Sequence, residues 1–148
     1  MRVRIKGVPQ LRVLLKRYPQ VTFVLDHFFS VSLKESPPHE LARDVFSLAE
    51  YPNVYWNLTP VILGRTREDR ATPQSFFKRV FEAFGASRIA WGCNFPTSAG
   101  SLSGILQDAQ QALSWVDERD LAWVFHETAE RLYPALKASS IDDNKESA

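Results

Sequence analysis

Three short apolar segments of this sequence each end on a polar side chain that could take part in chemistry. The segments are residues 21–27, 54–59 and 88–94. Their polar ends are His27, Asn57 or Thr59, and Asn94. The imidazole of His27 can take or give a proton near neutral pH, whereas the amide of Asn94 is neutral and acts only through hydrogen bonds. The residue types therefore predict proton transfer at His27, provided that the fold brings these ends together.

The elements between these ends predict an α/β fold. Apolar residues at helical spacing indicate helices after Pro9, around residues 41–48, over 73–84, over 102–113 and from about Asp120 to Pro134. The helix over 73–84 has the clearest ends, with Thr72 as N-cap, Pro73 in the first turn and Gly85 as the stop. Strands that alternate with helices lie parallel, so their C-terminal ends emerge on the face that carries the chemistry in such folds.

Two further expectations concern the elements that position these ends. The charged stretch from Gly64 to Arg70 looks like a surface loop. The three strands are apolar throughout rather than alternating, which predicts a sheet that is covered on both faces.

Composition narrows the class of protein. The chain has 148 residues, a net charge of +1 and 45% hydrophobic residues, which fits one globular domain and gives no reason to expect nucleic acid as a partner. No apolar stretch reaches the length of about 20 residues that a spanning helix needs, so no membrane partner is expected. The single Cys93 excludes an internal disulfide. Without a secretory signal, the expected location is cytoplasmic. We expect a domain over residues 1–136 and a polar, disordered tail over 137–148.

Three strands are too few for a closed parallel structure. An eight-unit barrel takes about 250 residues, so this chain has the size of half a (β/α)8 TIM barrel. The edges of its hydrophobic sheet would be sticky if left open. The sequence therefore predicts a partner for these edges, either a second copy of the chain in a homo-oligomer or an N-terminal half.

Four segments in order resemble the amidohydrolase-related family. Residues 17–27, 51–58 and 84–96 look like the sixth, seventh and eighth strand segments of that family, and residues 128–133 look like its closing helix. The resemblance implies the C-terminal half of a TIM barrel. The family includes lactonases, other C–O and C–N hydrolases and some decarboxylases, and many members use one divalent metal, often zinc. It implies water attack on a lactone, ester or amide of a small carboxylated substrate.

Carried over residue by residue, the resemblance gives two candidate catalytic residues. His27 takes the position of the strand-six histidine, which orients or activates the attacking water. Asn94 takes the position of the strand-eight aspartate, a metal ligand in the family, so the neutral amide makes it a weak ligand. The His-x-His pair of the family does not occur in this sequence, and His39 and His126 fall on predicted helices. The resemblance therefore implies one divalent metal, such as zinc, only for a complete barrel.

Three alternatives stay open at this point. Asp26 could replace the lost carboxylate, but adjacent strand residues point to opposite faces, so it should not share a pocket with His27 unless the strand has already ended. Asn94 could instead cap the turn that follows it. The missing His-x-His pair and the change from Asp to Asn also fit a non-catalytic half-barrel, either a pseudoenzyme or a truncated remnant.

Overall fold

Three parallel strands form the sheet of this protein, whose computed structural model describes residues 5–34, 39–68 and 70–139. The strands are β1 (Phe23–Asp26), β2 (Val54–Leu58) and β3 (Ile89–Trp91), and they lie side by side in that order. In this register Asp26 pairs with Asn57, and Asn57 pairs with Ala90. The prediction of three parallel strands is confirmed, and the last residues of β1 and β2 are level with each other.

Helices follow each strand, as the alternating pattern predicted. The described helices are α1 (Val8–Arg17), α2 (Arg43–Phe46), α3 (Pro60–Glu68), α4 (Pro73–Phe84), α5 (Leu102–Ala112), α6 (Glu118–Ala122), α7 (Thr128–Leu132) and α8 (Ala135–Ser139). Short 3-10 turns flank α2, and the π-helical segment Trp123–Glu127 joins α6 to α7. Of these described helices, none has both the length and the apolar character that crossing a bilayer requires.

The ends of α4 form as the sequence predicted. Thr72 Oγ1 accepts a hydrogen bond of 3.1 Å from the backbone N–H of Ser75, and Ser75 Oγ accepts one of 2.9 Å from the backbone N–H of Thr72. This reciprocal pair satisfies amide groups that the first turn of a helix leaves unbonded. Gly85 ends the helix with a φ of 73°, which glycine adopts without a steric penalty. The face that α4 buries carries Phe76, Phe77, Val80 and Phe84.

Two expectations about element ends are corrected by the structure. The stretch 64–70 is not a loop up to Glu68, because α3 continues to that residue; Asp69 lies outside the described residues. Burial of Ile62, Leu63 and Thr66 on one face explains why this charged stretch stays helical. The helix expected from about Asp120 begins with α6 at Glu118, because Asp117 caps it.

The C-terminal tail is described only in part. Helix α8 includes residues 137–139, which are the first three of the expected tail. Residues 140–148 lie outside the described residues.

The two faces of the sheet differ in burial. Along β2 the side chains alternate, with Val54, Trp56 and Leu58 buried and with Tyr55 and Asn57 half-buried. On β3, Ala90 lies on the same face as Asn57 and is buried, so among the described residues this second face is covered only in part. The buried face packs on the helices, and the half-buried face is the side from which side chains at the strand ends are accessible.

Arg88 joins the loops that lead into the sheet from the opposite end. Its guanidinium donates hydrogen bonds to the backbone carbonyls of Phe84, Ala83, Ala49 and Tyr51 at 2.6 to 3.2 Å. Burial lowers the pKa of this guanidinium, an effect that the nearby Tyr55 partly opposes. One side chain thus ties the end of α4 to the turn before β2.

Replacing Arg88 tests this tie. We expect Arg88→Met to lower the free energy of unfolding by about 2 to 4 kcal/mol, because four carbonyls lose a charged donor. The free energy of unfolding of Arg88→Lys should lie between those of the unmodified protein and Arg88→Met, because an ammonium cannot reproduce the planar fork of donors. Denaturant unfolding measures both. The exposed Arg119 provides the control, and an Arg88→Met loss no larger than that of Arg119→Met would contradict the assignment.

Candidate active site

The C-terminal ends of β2 and β3 meet at one rim of the sheet. Just past β3, the backbone N–H of Gly92 donates a hydrogen bond of 2.8 Å to the carbonyl of Leu58. A Cβ placed on Gly92 would lie 3.6 Å from Thr59 Cγ2 and 3.8 Å from Asn57 Cβ. Asn57 and Thr59 therefore project to the same side of the sheet, as residues two apart on a strand do. We call this group of strand-end residues, Asp26, His27, Asn57, Thr59 and Gly92, the rim.

His27 is held at the rim by Thr59. The ring Nδ1 of His27 lies 2.7 Å from Thr59 Oγ1, and the Thr59 side chain is buried with 3% of its surface exposed. The imidazole is half-buried. In the part of the chain that the structure describes, no group bonds to its Nε2, so this nitrogen is available to a reacting molecule.

A left-handed turn aims His27 toward Thr59. The four residues from His27 to Ser30 all have positive φ, at 57°, 47°, 55° and 50°. The left-handed conformation costs roughly 1 to 2 kcal/mol for each residue that has a Cβ, so other contacts must hold this turn. The fully buried ring of Phe28 does so, because it stacks on Trp56 with 4.5 Å between ring centroids and 6° between planes. Phe76 and Phe77 pack against it edge-on.

Asp26 lies at the same rim. Asn57 Nδ2 donates a hydrogen bond of 2.7 Å to Asp26 Oδ1, across the rung that pairs these two residues. Strand β1 ends at Asp26, and the left-handed His27 no longer follows the strand alternation. The exception considered for Asp26 therefore applies, since Asp26 and His27 bond to side chains on the same side of β2. Strand alternation alone predicted the opposite and missed this carboxylate.

Asn94 is placed differently from His27. Its side-chain Nδ2 donates a hydrogen bond of 3.1 Å to Ser98 Oγ, and its backbone carbonyl accepts one of 2.9 Å from the backbone N–H of Ser98. With a φ of 51°, Asn94 serves the turn after β3, which Asn adopts more readily than most residues. In the described structure no hydrogen bond joins Asn94 to a rim residue. The turn interpretation therefore accounts for the hydrogen bonds that Asn94 makes in the described structure.

The described residues do not fit a complete metal centre. Over residues 5–34, 39–68 and 70–139, no three His, Cys, Asp or Glu side chains lie close enough to hold an ion together. His126 Nε2, in the π-helical segment, pairs with Glu130 Oε1 on α7 at 3.0 Å, and His39 packs its ring against Phe76. A zinc site needs three or four protein ligands. These residues alone therefore do not make one.

Comparison with known proteins decides the family. A sequence model of the amidohydrolase family matches residues 2–135. This chain belongs to the amidohydrolase family. The four segments that resembled the family all lie inside the matched range, so the resemblance is confirmed.

A curated relative carries a lactonase name. The chain is 27% identical over 114 residues to an L-fucono-1,5-lactonase of Burkholderia ambifaria. The match covers 76% of this chain and 39% of the relative. The chain therefore spans well under half the length of the lactonase that it matches.

Solved structures of the family share this fold. An amidohydrolase of Burkholderia multivorans with bound HEPES superposes with a TM-score of 0.71 at 19% identity, covering 89% of this chain and 51% of that one. A second crystal form of an amidohydrolase from that organism contains bound zinc and gives a TM-score of 0.70 at 19% identity, covering 89% and 50%. A protein of Pseudomonas putida assigned as a 2-pyrone-4,6-dicarboxylic acid hydrolase gives 0.67 at 16% identity, covering 88% and 49%. The described fold corresponds to about half of each.

Backbone strain in the left-handed turn can be tested by measuring stability. We expect Ser30→Gly to raise the free energy of unfolding by up to about 1 kcal/mol, because glycine adopts a φ of 50° without a Cβ penalty and Ser30 is exposed. Denaturant unfolding measures the change. Ser114→Gly is the matched control, at an exposed serine without positive φ, and should be destabilising. Equal losses in both variants would show that the turn carries no such strain.

Proposed function

We propose that this chain is a partial TIM barrel, namely the C-terminal half. The complete barrel hydrolyses a lactone, ester or amide of a small carboxylated substrate. The observation that carries the proposal is the imidazole of His27 at the C-terminal rim of parallel strands, bonded through Nδ1 and open at Nε2. The rim of such folds is where reacting groups lie. Membership of the amidohydrolase family supports hydrolysis, and the lactonase relative supports a lactone as the substrate class.

The rest of the barrel would come from strands other than these three. The chain spans 51% of the first solved neighbour and 39% of the lactonase, so an N-terminal half would supply the other strands. The half-buried face with Tyr55 and Asn57 is the side that such a half would enclose. A family metal such as zinc would need ligands from that half, since no group of three is present among the described residues.

The His27 assignment is tested by hydrolysis of L-fucono-1,5-lactone by the purified gene product. We expect His27→Ala to lower kcat/KM by about 10²-fold or more, the usual size of a proton-transfer or hydrogen-bonding contribution at the reacting centre. The matched control is His126→Ala, because His126 is an exposed helical histidine that pairs with Glu130. Acid release is followed continuously with a pH indicator.

Two results would contradict the proposed function. One is a gene product that folds but hydrolyses no lactone, ester or amide in a panel of small carboxylated substrates. The other is a His27→Ala variant that keeps the turnover of the His126→Ala control.

A non-catalytic half-barrel is the second candidate function. The observation that favours it is the bonding of Asn94, whose amide is committed to Ser98 in a turn. On this view the chain has lost the strand-eight carboxylate of the family together with its role and serves only as a folded remnant or pseudoenzyme.

Restoring the carboxylate tests the second candidate. If the site is non-catalytic, Asn94→Asp should gain no zinc binding and should lose about 1 kcal/mol of stability, because the donor to Ser98 is removed. Calorimetric titration with zinc and denaturant unfolding measure the two effects. Asn53→Asp, which removes an amide donor to the carbonyl of Val21, is the control for stability. Stoichiometric zinc binding by Asn94→Asp would contradict the second candidate.

A further inference from the structure

A carboxylate stands at the rim beside the imidazole, and the roles assigned above leave it unused. Asp26 is exposed, and one of its carboxylate oxygens accepts the hydrogen bond from Asn57. Within the described residues its other oxygen, Oδ2, has no hydrogen-bond partner. We propose that Asp26 is the general base of this site and that His27 is a neutral hydrogen-bond donor. This inference rests on the proposed hydrolysis and assigns its proton transfers.

The two groups are held side by side at the rim. Asp26 bonds to Asn57 near the end of β2, and His27 bonds to Thr59, which is two residues further along and projects to the same side. The two side chains form no ion pair with each other in the described structure. A water molecule or a carbonyl oxygen bound at this rim would accept a hydrogen bond from His27 Nε2, and a water molecule would donate one to Asp26 Oδ2. Gly92 keeps the neighbouring position on β3 free of a side chain.

The bond to Thr59 decides which nitrogen of His27 carries the proton. Thr59 Oγ1 is buried, and His27 is its only hydrogen-bond partner among the described residues. A buried hydroxyl that leaves its proton unbonded loses a hydrogen bond, so donation from Thr59 to Nδ1 is the favoured arrangement. The proton of the neutral ring then lies on Nε2. Such a ring donates from its open side and does not accept a proton there, so the base must be another group.

With these two roles, the bonds and protons of the hydrolysis balance without a further group. The water oxygen forms a bond to the carbonyl carbon of the lactone while one water proton passes to Asp26. The carbonyl oxygen becomes an oxyanion that accepts a hydrogen bond from His27 Nε2–H. When the bond from carbon to the ring oxygen breaks, the ring oxygen takes the proton back from Asp26 and leaves as a hydroxyl group. The product is the hydroxy acid, and both side chains return to their starting protonation states.

This assignment also gives the site a carboxylate, although the strand-eight position carries Asn94. The sequence lacks the strand-eight carboxylate that the family resemblance implied, and Asn94 cannot accept a proton. Asp26 supplies a carboxylate on β1, at the rung where Asn57 holds it. The site thus keeps one carboxylate that can accept a proton, which general base catalysis requires.

The test compares two variants of Asp26 in the purified gene product with L-fucono-1,5-lactone. We expect Asp26→Asn to lower kcat by about 10²-fold or more with little change in KM, because the amide keeps the size of the side chain but cannot take a proton. Asp26→Ala should lose as much, and added formate should restore part of its kcat in a concentration-dependent way. Asp44→Asn is the control at an exposed aspartate away from the rim and should not change kcat.

The outcomes separate this inference from the proposed function. Loss of hydrolysis in His27→Ala together with full kcat in Asp26→Asn would overturn the base assignment and leave the hydrolase intact. A rise in KM at unchanged kcat, or a failure of formate to rescue Asp26→Ala, would also overturn it, because either result makes Asp26 a binding or structural group. Absence of any hydrolysis by the unmodified protein would instead remove the proposed function.

A spectroscopic measurement tests the same assignment without turnover. The ¹⁵N shifts of the His27 ring near neutral pH should report a protonated Nε2 and an unprotonated Nδ1, and His27→Ala identifies the signal. Thr59→Val should remove this preference, because it replaces the hydroxyl with a methyl group. A ring protonated on Nδ1 in the unmodified protein would place the base function on His27 and overturn the inference.

Discussion

The stack of Phe28 on Trp56 is the contact on which the rim depends. Trp56 is the buried centre of β2, and Phe28 belongs to the left-handed turn that follows β1. Burying a phenylalanine contributes about 1.5 to 3 kcal/mol, with roughly 0.5 to 1.5 kcal/mol more from the aromatic pair. These terms are of the size needed to offset much of the unfavourable backbone of the turn. Together with the edge-on contacts of Phe76 and Phe77, the stack holds His27 in the conformation that reaches Thr59.

The parallel register also aligns side chains of neighbouring strands at the rim. Because Asp26 and Asn57 share a rung, a hydrogen bond between their side chains forms without distortion of the sheet. Gly92 then packs against both Asn57 and Thr59, so β3 closes the rim from the other side. At the opposite end of the sheet, Arg88 ties together the carbonyls of the loops. The structure thus separates a stabilising end from an end with open hydrogen-bonding groups, as parallel α/β folds do.

Family membership and local chemistry lead to different conclusions about Asn94. Membership supports hydrolysis and directs attention to the strand-eight position, where this chain has an amide. The contacts of that amide lie within its own turn, whereas the carboxylate of Asp26 lies at the rim. A family likeness therefore supports a proposal about the class of reaction, and the roles of individual residues must be argued from the geometry of this chain.

Much of the fold was predictable from local patterns. The three strands follow from their apolar runs, and α4 follows from Thr72, Pro73 and Gly85, because capping and backbone restriction act within a few residues. The helix over 60–68 was missed because its charges suggested a loop, while its helical state depends on burying Ile62, Leu63 and Thr66 against the rest of the chain. Burial of this kind cannot be read from charge alone.

The sequence by itself determined that His27, Asn57 and Thr59 end strands on one side of a parallel sheet, since alternation of strands and helices requires this arrangement. Only the tertiary structure decided that Asp26 bonds to Asn57 beside them and that the hydrogen bonds of Asn94 go to Ser98 in its own turn. The physical reason is the left-handed backbone from His27 to Ser30, which ends the alternation of β1 at Asp26. Residues with a Cβ avoid that conformation in isolation, and it is held here by the burial of Phe28 against Trp56, a residue 28 positions further along the chain.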